Sequence, residues 1–250
     1  MNDKTQPDLN NTSSSASKEI SNDISHNSAE SLSESKQRKR EIRSYVIRDG
    51  RITPGQLRAL DECWVSYGLD VHNGVLDLDA VFPESNPTVL EIGFGMGDSL
   101  FEMSQGDSNT NYIGVEVHRP GVGHLLQLAN KAELRNLRLF KDDSIDVLKQ
   151  CISDKSLAKI QIFFPDPWHK KKHHKRRLIS EEFVELLKSK LKDDGVLHIA
   201  TDWMPYAEYI REVMVHWREV AVPARPITKY EKRGLRLNHE VTDLAYAKPS

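Results

Sequence analysis

Residues 88–105 read TVLEIGFGMGDSLFEMSQ. A short apolar run is cut off by three glycines, and a stretch with helical spacing follows. That order predicts a buried strand, a tight turn and a helix. Gly93, Gly95 and Gly97 permit backbone conformations closed to other residues, and they let a ligand approach the main chain. The same unit recurs downstream. NYIGVEV (111–117), NLRLFK (136–141), AKIQIFF (158–164) and GVLHIAT (195–201) are short apolar runs separated by helical stretches. Strands alternating with helices predict βαβ units on a parallel sheet with right-handed crossovers. REVAVP (218–223) and TDLAYAK (242–248) are expected to close the sheet antiparallel. The expectation is a Rossmann-like α/β fold: a mostly parallel seven-stranded sheet with helices on both faces.

Upstream, Thr53-Pro54-Gly55-Gln56 has the spacing of a capping box, and LRALDECWVSYGL continues it as an amphipathic helix. A single domain is expected over 53–250. Residues 1–35 hold two lysines against six acids and are rich in Ser and Asn, so they read as a disordered polar tail. Residues 36–43, KQRKREIR, carry a net +4 and open a basic arm that runs to residue 52. The net charge of −2 over 250 residues therefore hides a clustered distribution. Cys63 and Cys151 form no CxxC pair, which argues against a zinc or redox motif. There is no run of eighteen apolar residues and no apolar signal segment, so a cytoplasmic protein is expected.

In an open α/β sheet, ligands bind beyond the carboxyl ends of the strands. Acids cluster there. Asp98 stands where the dinucleotide fingerprint has glycine or alanine, and a carboxylate at that helix start disfavours a pyrophosphate. Glu91 also points to a cationic or neutral ligand. S-adenosylmethionine, with a sulfonium and an ammonium and no phosphate, fits. Glu116 lies 23 residues beyond Gly93, near the offset at which an acid reaches ribose hydroxyls. Asp142 or Asp143 can accept from an adenine amine, and Asp143 can equally cap the helix SIDVLKQCI.

Residues 163–177 read FFPDPWHKKKHHKRR. Pro165 and Pro167 are expected to hold an extended, stiff loop that presents Asp166 and Trp168. His169–Arg177 then brings six Lys and Arg and three histidines, a density that suits a nucleic-acid backbone. Asp202, in ATDW, is a second acid at a strand end, with helix capping as its competing role.

Together EIGFGMG, GVEVHRPGVG, FFPDPWHKKKHHKRR, ATDWMPYAEY and RPITKYEKRG resemble bacterial tRNA (guanine-N7-)-methyltransferases, in order and spacing, from about Arg43 to Ala247. The ending DLAYAKPS departs from that family's aromatic, basic ending. The resemblance implies a class I S-adenosylmethionine-dependent methyltransferase acting on tRNA, at guanosine 46 of the variable loop. It implies that Glu91, Glu116, Asp143 and Asp166 contact the cofactor beside the glycines, with Asp166 also catalytic. It implies substrate contacts from Lys170, Asp202, Thr228, Lys229, Tyr230 and Glu231, and RNA contacts from Lys172, His173, His174, Lys175, Arg176 and Arg177. Neither a membrane nor a metal is expected as a partner, and the chain is expected to be a monomer or homodimer. A methyltransferase for another nucleic-acid base or an amine is the alternative. A dehydrogenase lacks support, because no His or Tyr motif for hydride chemistry is present.

Overall fold

The middle of the protein is five parallel strands, each too short and apolar to be stable except when buried on both faces. They are β2 (Thr88–Ile92), β3 (Asn111–Val115), β4 (Leu137–Phe140), β5 (Leu157–Phe163) and β6 (Leu191–Thr201). A two-residue β1 (Gly68–Leu69) pairs parallel with β4. At the other edge β8 (Thr242–Ala247) runs antiparallel to β6, and β7 (Arg218–Glu219) antiparallel to β8. The computed structural model describes residues 43–45, 50–235 and 240–249. The polar tail 1–35, most of the basic arm 36–52 and the side chain of Lys229 lie outside the described residues.

The sheet order is β1-β4-β3-β2-β5-β6-β8-β7, eight strands rather than seven. The added strand is β1, whose two residues are too few to show a period in the sequence. Gly68 permits it, because a Cβ there would lie 2.2 Å from the Trp64 ring. The chain winds outward from β2 through β3 to β4, then returns to place β5 and β6 on the other side of β2. The crevice at that switch point lies beyond the ends of β2, β3 and β5, where the glycines, Glu116 and Asp166 follow.

Helices α1 (Pro54–Glu62), α4 (Asp98–Gly106) and α5 (Arg119–Lys131) pack Ala59, Leu60, Leu100, Leu125 and Leu126 against Val89, Tyr112, Leu137 and Leu139 on one face of the sheet. On the other face α6 (Ser144–Gln150), α7 (Glu181–Lys190) and α8 (Met204–Val213) bring Leu148, Leu187, Tyr206 and Ile210 onto Leu90, Ile113, Ile160 and Ile199. The ends follow local chemistry. Thr53 and Gln56 form the expected capping box, and Ser180 accepts from Phe183 N. The helix expected to continue through Leu69 breaks at Cys63, leaving the four-residue α2 (Trp64–Tyr67), and its last two residues, Gly68 and Leu69, form β1 instead. The four-residue α3 (Leu78–Val81), capped by Asp77, was not expected. The last helix, α9 (Lys229–Leu235), starts from Thr228.

Candidate active site and nucleic-acid interface

The strand β2 ends in a turn in which Gly93, Gly95 and Gly97 all have positive φ, at 76°, 60° and 79°. Backbone of that kind exposes its amides, and Gly97 then starts α4 without a side-chain cap. Glu116, just past β3, braces the turn. One carboxylate oxygen accepts from Gly95 N at 2.8 Å and the other from His118 N at 2.9 Å. The start of α5 touches the turn so closely that a Cβ on Gly121 would lie 1.8 Å from Gly95 O.

A cleft of about 220 Å³ opens beside this turn. It is lined by Gly93, Glu116, Asp142, Phe163, Pro165 and Asp166, and by Tyr45 from the segment before α1. Among the described residues no lysine or arginine lines it. Asp143 accepts from Ile145 N at 2.8 Å and so caps α6, as its position allowed. It also hydrogen-bonds Tyr45, whose hydroxyl pKa is pushed up to about 12 by burial and by that carboxylate. Asp142, not Asp143, faces the cleft, and burial first and then Asp70 raise its pKa. Tyr45 escaped the sequence reading, since an aromatic in a basic arm has no spacing to mark it.

Glu91 lies at the end of β2, close enough to Glu116 for the two charges to repel. It is buried on the α4 side of β2, where Gln161 Nε2 of β5 donates to its Oε2 at 2.6 Å. Burial pushes its pKa up to about 7 against the pull of Gln161, Lys159 and Arg225. It lines a second cleft with Gly93, Gly95, Gly97, Phe164, Thr228 and Tyr230. Phe164 and Tyr230 rings meet at 5.2 Å. Glu231 caps α9 with Thr228 and takes a hydrogen bond from Arg225 Nη1 at 2.5 Å.

The loop after β5 turns at both of its ends. Phe164 and Trp168 bracket Pro165-Asp166-Pro167 with φ of 54° and 47°. Left-handed backbone at a non-glycine residue costs about 1–3 kcal/mol and persists where surroundings impose it. Here Phe164 N donates to Ala200 O at 2.8 Å, and the Trp168 indole donates to Ser44 O at 3.1 Å. Asp166 is thereby held exposed on a rigid turn. It borders both the glycine-turn cleft and a third cleft lined by Tyr45, Glu116, Trp168, His169, Lys170 and His173.

The basic run is a 3₁₀ helix, Lys171–Arg176, with Lys170 at its start. Three residues per turn place every third side chain on one edge. Lys172 and Lys175 face solvent. His173 and Arg176 pack on Trp168, at 5.8 Å between rings and 4.7 Å from guanidinium to ring. His174 and Arg177 turn inward. Arg177 is buried, donates to Pro167 O at 3.0 Å and lies over Tyr206 and Tyr209 at 5.0 and 4.7 Å. The structure thus separates Arg177 from the exposed lysines with which the sequence grouped it. Asp202, half-buried, follows β6, and the residue at the N-cap of α8 is Trp203. Among the described residues no group of three His, Cys, Asp or Glu is placed for a metal, and no helix is long and apolar enough to cross a membrane.

Three comparisons bear on this arrangement. A family model described as "Putative methyltransferase" matches residues 85–244. The tRNA (guanine-N(7)-)-methyltransferase of Pseudoalteromonas translucida is 52% identical over 218 residues, which is 83% of this chain and 90% of that protein. The protein of the same name from Alcanivorax borkumensis is 48% identical over 220 residues, 84% of this chain and 92% of that one. Among solved structures, the 16S rRNA methyltransferase KamB superposes with a TM-score of 0.52 at 12% identity, covering 70% of this chain and 95% of that one. At that identity the likeness speaks to the fold, and it is the Rossmann-like methyltransferase fold. With about half of the aligned residues identical over nearly the full length of such relatives, this chain belongs to the tRNA (guanine-N7-)-methyltransferase family.

Proposed function

We propose that the protein methylates N7 of a guanine in the tRNA variable loop, guanosine 46, with S-adenosylmethionine as donor. The observation that carries this is the position of Asp166, on the wall common to an acidic cleft at the glycine turn and a cleft under the basic 3₁₀ helix. The acidic, lysine-free lining of the first cleft suits a cationic adenosyl ligand and repels a pyrophosphate. Glu116 and Asp142 are placed to accept from such a ligand, and Tyr45 and Phe163 to shield it from water. When bound there, S-adenosylmethionine supplies an electrophilic methyl group on a sulfonium.

The chain's part is placement and charge. Guanine N7 is an acceptor without a proton, so no side chain has to remove one. Asp166 can accept from the guanine N1–H and N2–H₂ pair, which adenine lacks, and its negative charge favours the positive charge that the purine acquires. Lys170 lines the third cleft with Asp166 and can reach the nucleotide, and Asp202 at the end of β6 is a second acid for it; Thr228 and Tyr230 line the second cleft with Phe164, and Glu231 holds the Thr228 turn. Lys171, Lys172 and Lys175 offer exposed charge to phosphates. The rigid turn brings orientation at little entropic cost, which is the main lever available to a transfer that needs no base.

The test is borohydride–aniline cleavage of tRNA after incubation with protein and donor. Wild type should yield a new cut in the variable loop, and Asp166→Ala should yield none while still binding donor within about tenfold. Intact tRNA after incubation with wild type sinks the reading, and a cut with Asp166→Ala at the wild-type rate removes the role of Asp166.

A further inference from the structure

Behind the Thr228–Glu231 turn lies a set of buried polar groups that the proposed chemistry does not use. Glu91, Gln161 and His198 are register partners across β2, β5 and β6, so their side chains share the α4 face of the sheet. His198 is fully buried, and its Nε2 donates to Asp243 Oδ1 of β8 at 2.8 Å. Asp243 in turn receives a fork from Arg225, Nε to Oδ1 at 2.7 Å and Nη2 to Oδ2 at 2.8 Å. The third nitrogen of Arg225 donates to Glu231 Oε2 at 2.5 Å and to Pro226 O at 3.2 Å. Its guanidinium also lies 5.0 Å from the Phe163 ring and 5.7 Å from the Phe164 ring. Those rings immediately precede Pro165-Asp166.

One guanidinium therefore touches the root of the Asp166 loop, the closing strand β8 and the cap of α9. Its side chain is 7% exposed. Burying an arginine between two carboxylates is a weak device for stability, since apolar replacements often do as well. It is a good device for geometry, because the planar fork fixes both carboxylates in direction as well as distance. Burial works against the ionised Asp243, yet the His198 and Arg225 hydrogen bonds outweigh it and hold the carboxyl at about 2, so the fork is charged on both sides at any physiological pH.

We propose that Arg225, backed by Asp243 and His198, is a positioning residue for methyl transfer: it fixes the Thr228–Glu231 turn at the glycine-turn cleft and supports the Phe163–Phe164 base of the Asp166 loop. This rests on the methyl-transfer reading above. Lysine at 225 keeps the charge but cannot satisfy Asp243 and Glu231 together. Arg225→Lys is expected to lower kcat about 10- to 100-fold, the scale of a small misplacement, with KM for the donor within about twofold. Asp243→Asn, which keeps the shape of the site, should give a smaller loss of the same kind. Arg225→Lys combined with Glu231→Gln should be no slower than the slower single variant, because both break one contact. Amide exchange followed by mass spectrometry should show faster exchange in 228–235 of Arg225→Lys and none of that change in 88–92.

If Arg225→Lys keeps kcat within about twofold, if its loss adds to that of Glu231→Gln, or if exchange in 228–235 is unchanged, the positioning role is wrong. Wild-type protein that transfers no methyl group to tRNA in the same assay overturns the methyl-transfer reading itself, and the inference with it.

Discussion

At the scale of a residue, the strand register sets the chemistry of Glu91. It stands at the end of β2, where the β2–β5 register sets it against Gln161 while it lines the second cleft with the three glycines. Burial raises its pKa from 4.5 in the unfolded chain to about 7. A carboxyl so shifted contributes stability that is full below the unfolded value and is lost as pH climbs through the folded one. Stability should therefore fall between about pH 4.5 and 7 and level off above, by roughly 3 kcal/mol. Glu91→Gln should remove most of that slope and be the more stable protein above pH 7, with weaker donor binding. Urea melts of both proteins near pH 5 and pH 8 check it, and parallel curves would show that Glu91 is not the group responsible.

At the scale of elements, two contacts set the site. The first is the α5 start against the glycine turn. Within GVEVHRPGVG, Gly121 makes that contact possible, because it leaves room for Gly95 O. Gly121→Ala should cost about 2 kcal/mol and weaken donor binding, whereas Gly106→Ala, which meets nothing within 4 Å, should be neutral. Thermal melts and donor titration distinguish these outcomes. The second contact is the 3₁₀ helix on Trp168. The sequence shows nine residues without an aliphatic and no period, and three-fold winding then sorts them into solvent, Trp168 and interior edges.

Over the whole molecule, charge differs across Asp166: the first cleft is lined by Glu116 and Asp142 with no lysine, and the third by Lys170 at the start of the basic 3₁₀ helix. Salt should therefore act on the two ligands differently. Replacing Lys171, Lys172 and Lys175 with alanine should flatten the slope of log tRNA affinity against log salt by about 2, and leave donor affinity and stability near wild type. Arg177 is left out of that set because it is a strut under Pro167 and not an exposed charge. An unchanged slope would place the phosphates elsewhere.

The sequence by itself determined the strand–helix alternation, the glycine turn, the capping box at Thr53 and the acids beyond the strands, because each depends on residues within a few positions of one another. It also carried the resemblance in which Asp166, Thr228 and Glu231 have roles. Only the tertiary structure decided that Glu91 lies inside and Asp142 faces the cleft. It alone placed Tyr45 there, 121 positions before Asp166, and turned Arg177 inward and joined Arg225 to Asp243 and Glu231. Those outcomes depend on strand register and on which helix covers which face of the sheet, and contacts of that range leave no period or spacing in the chain.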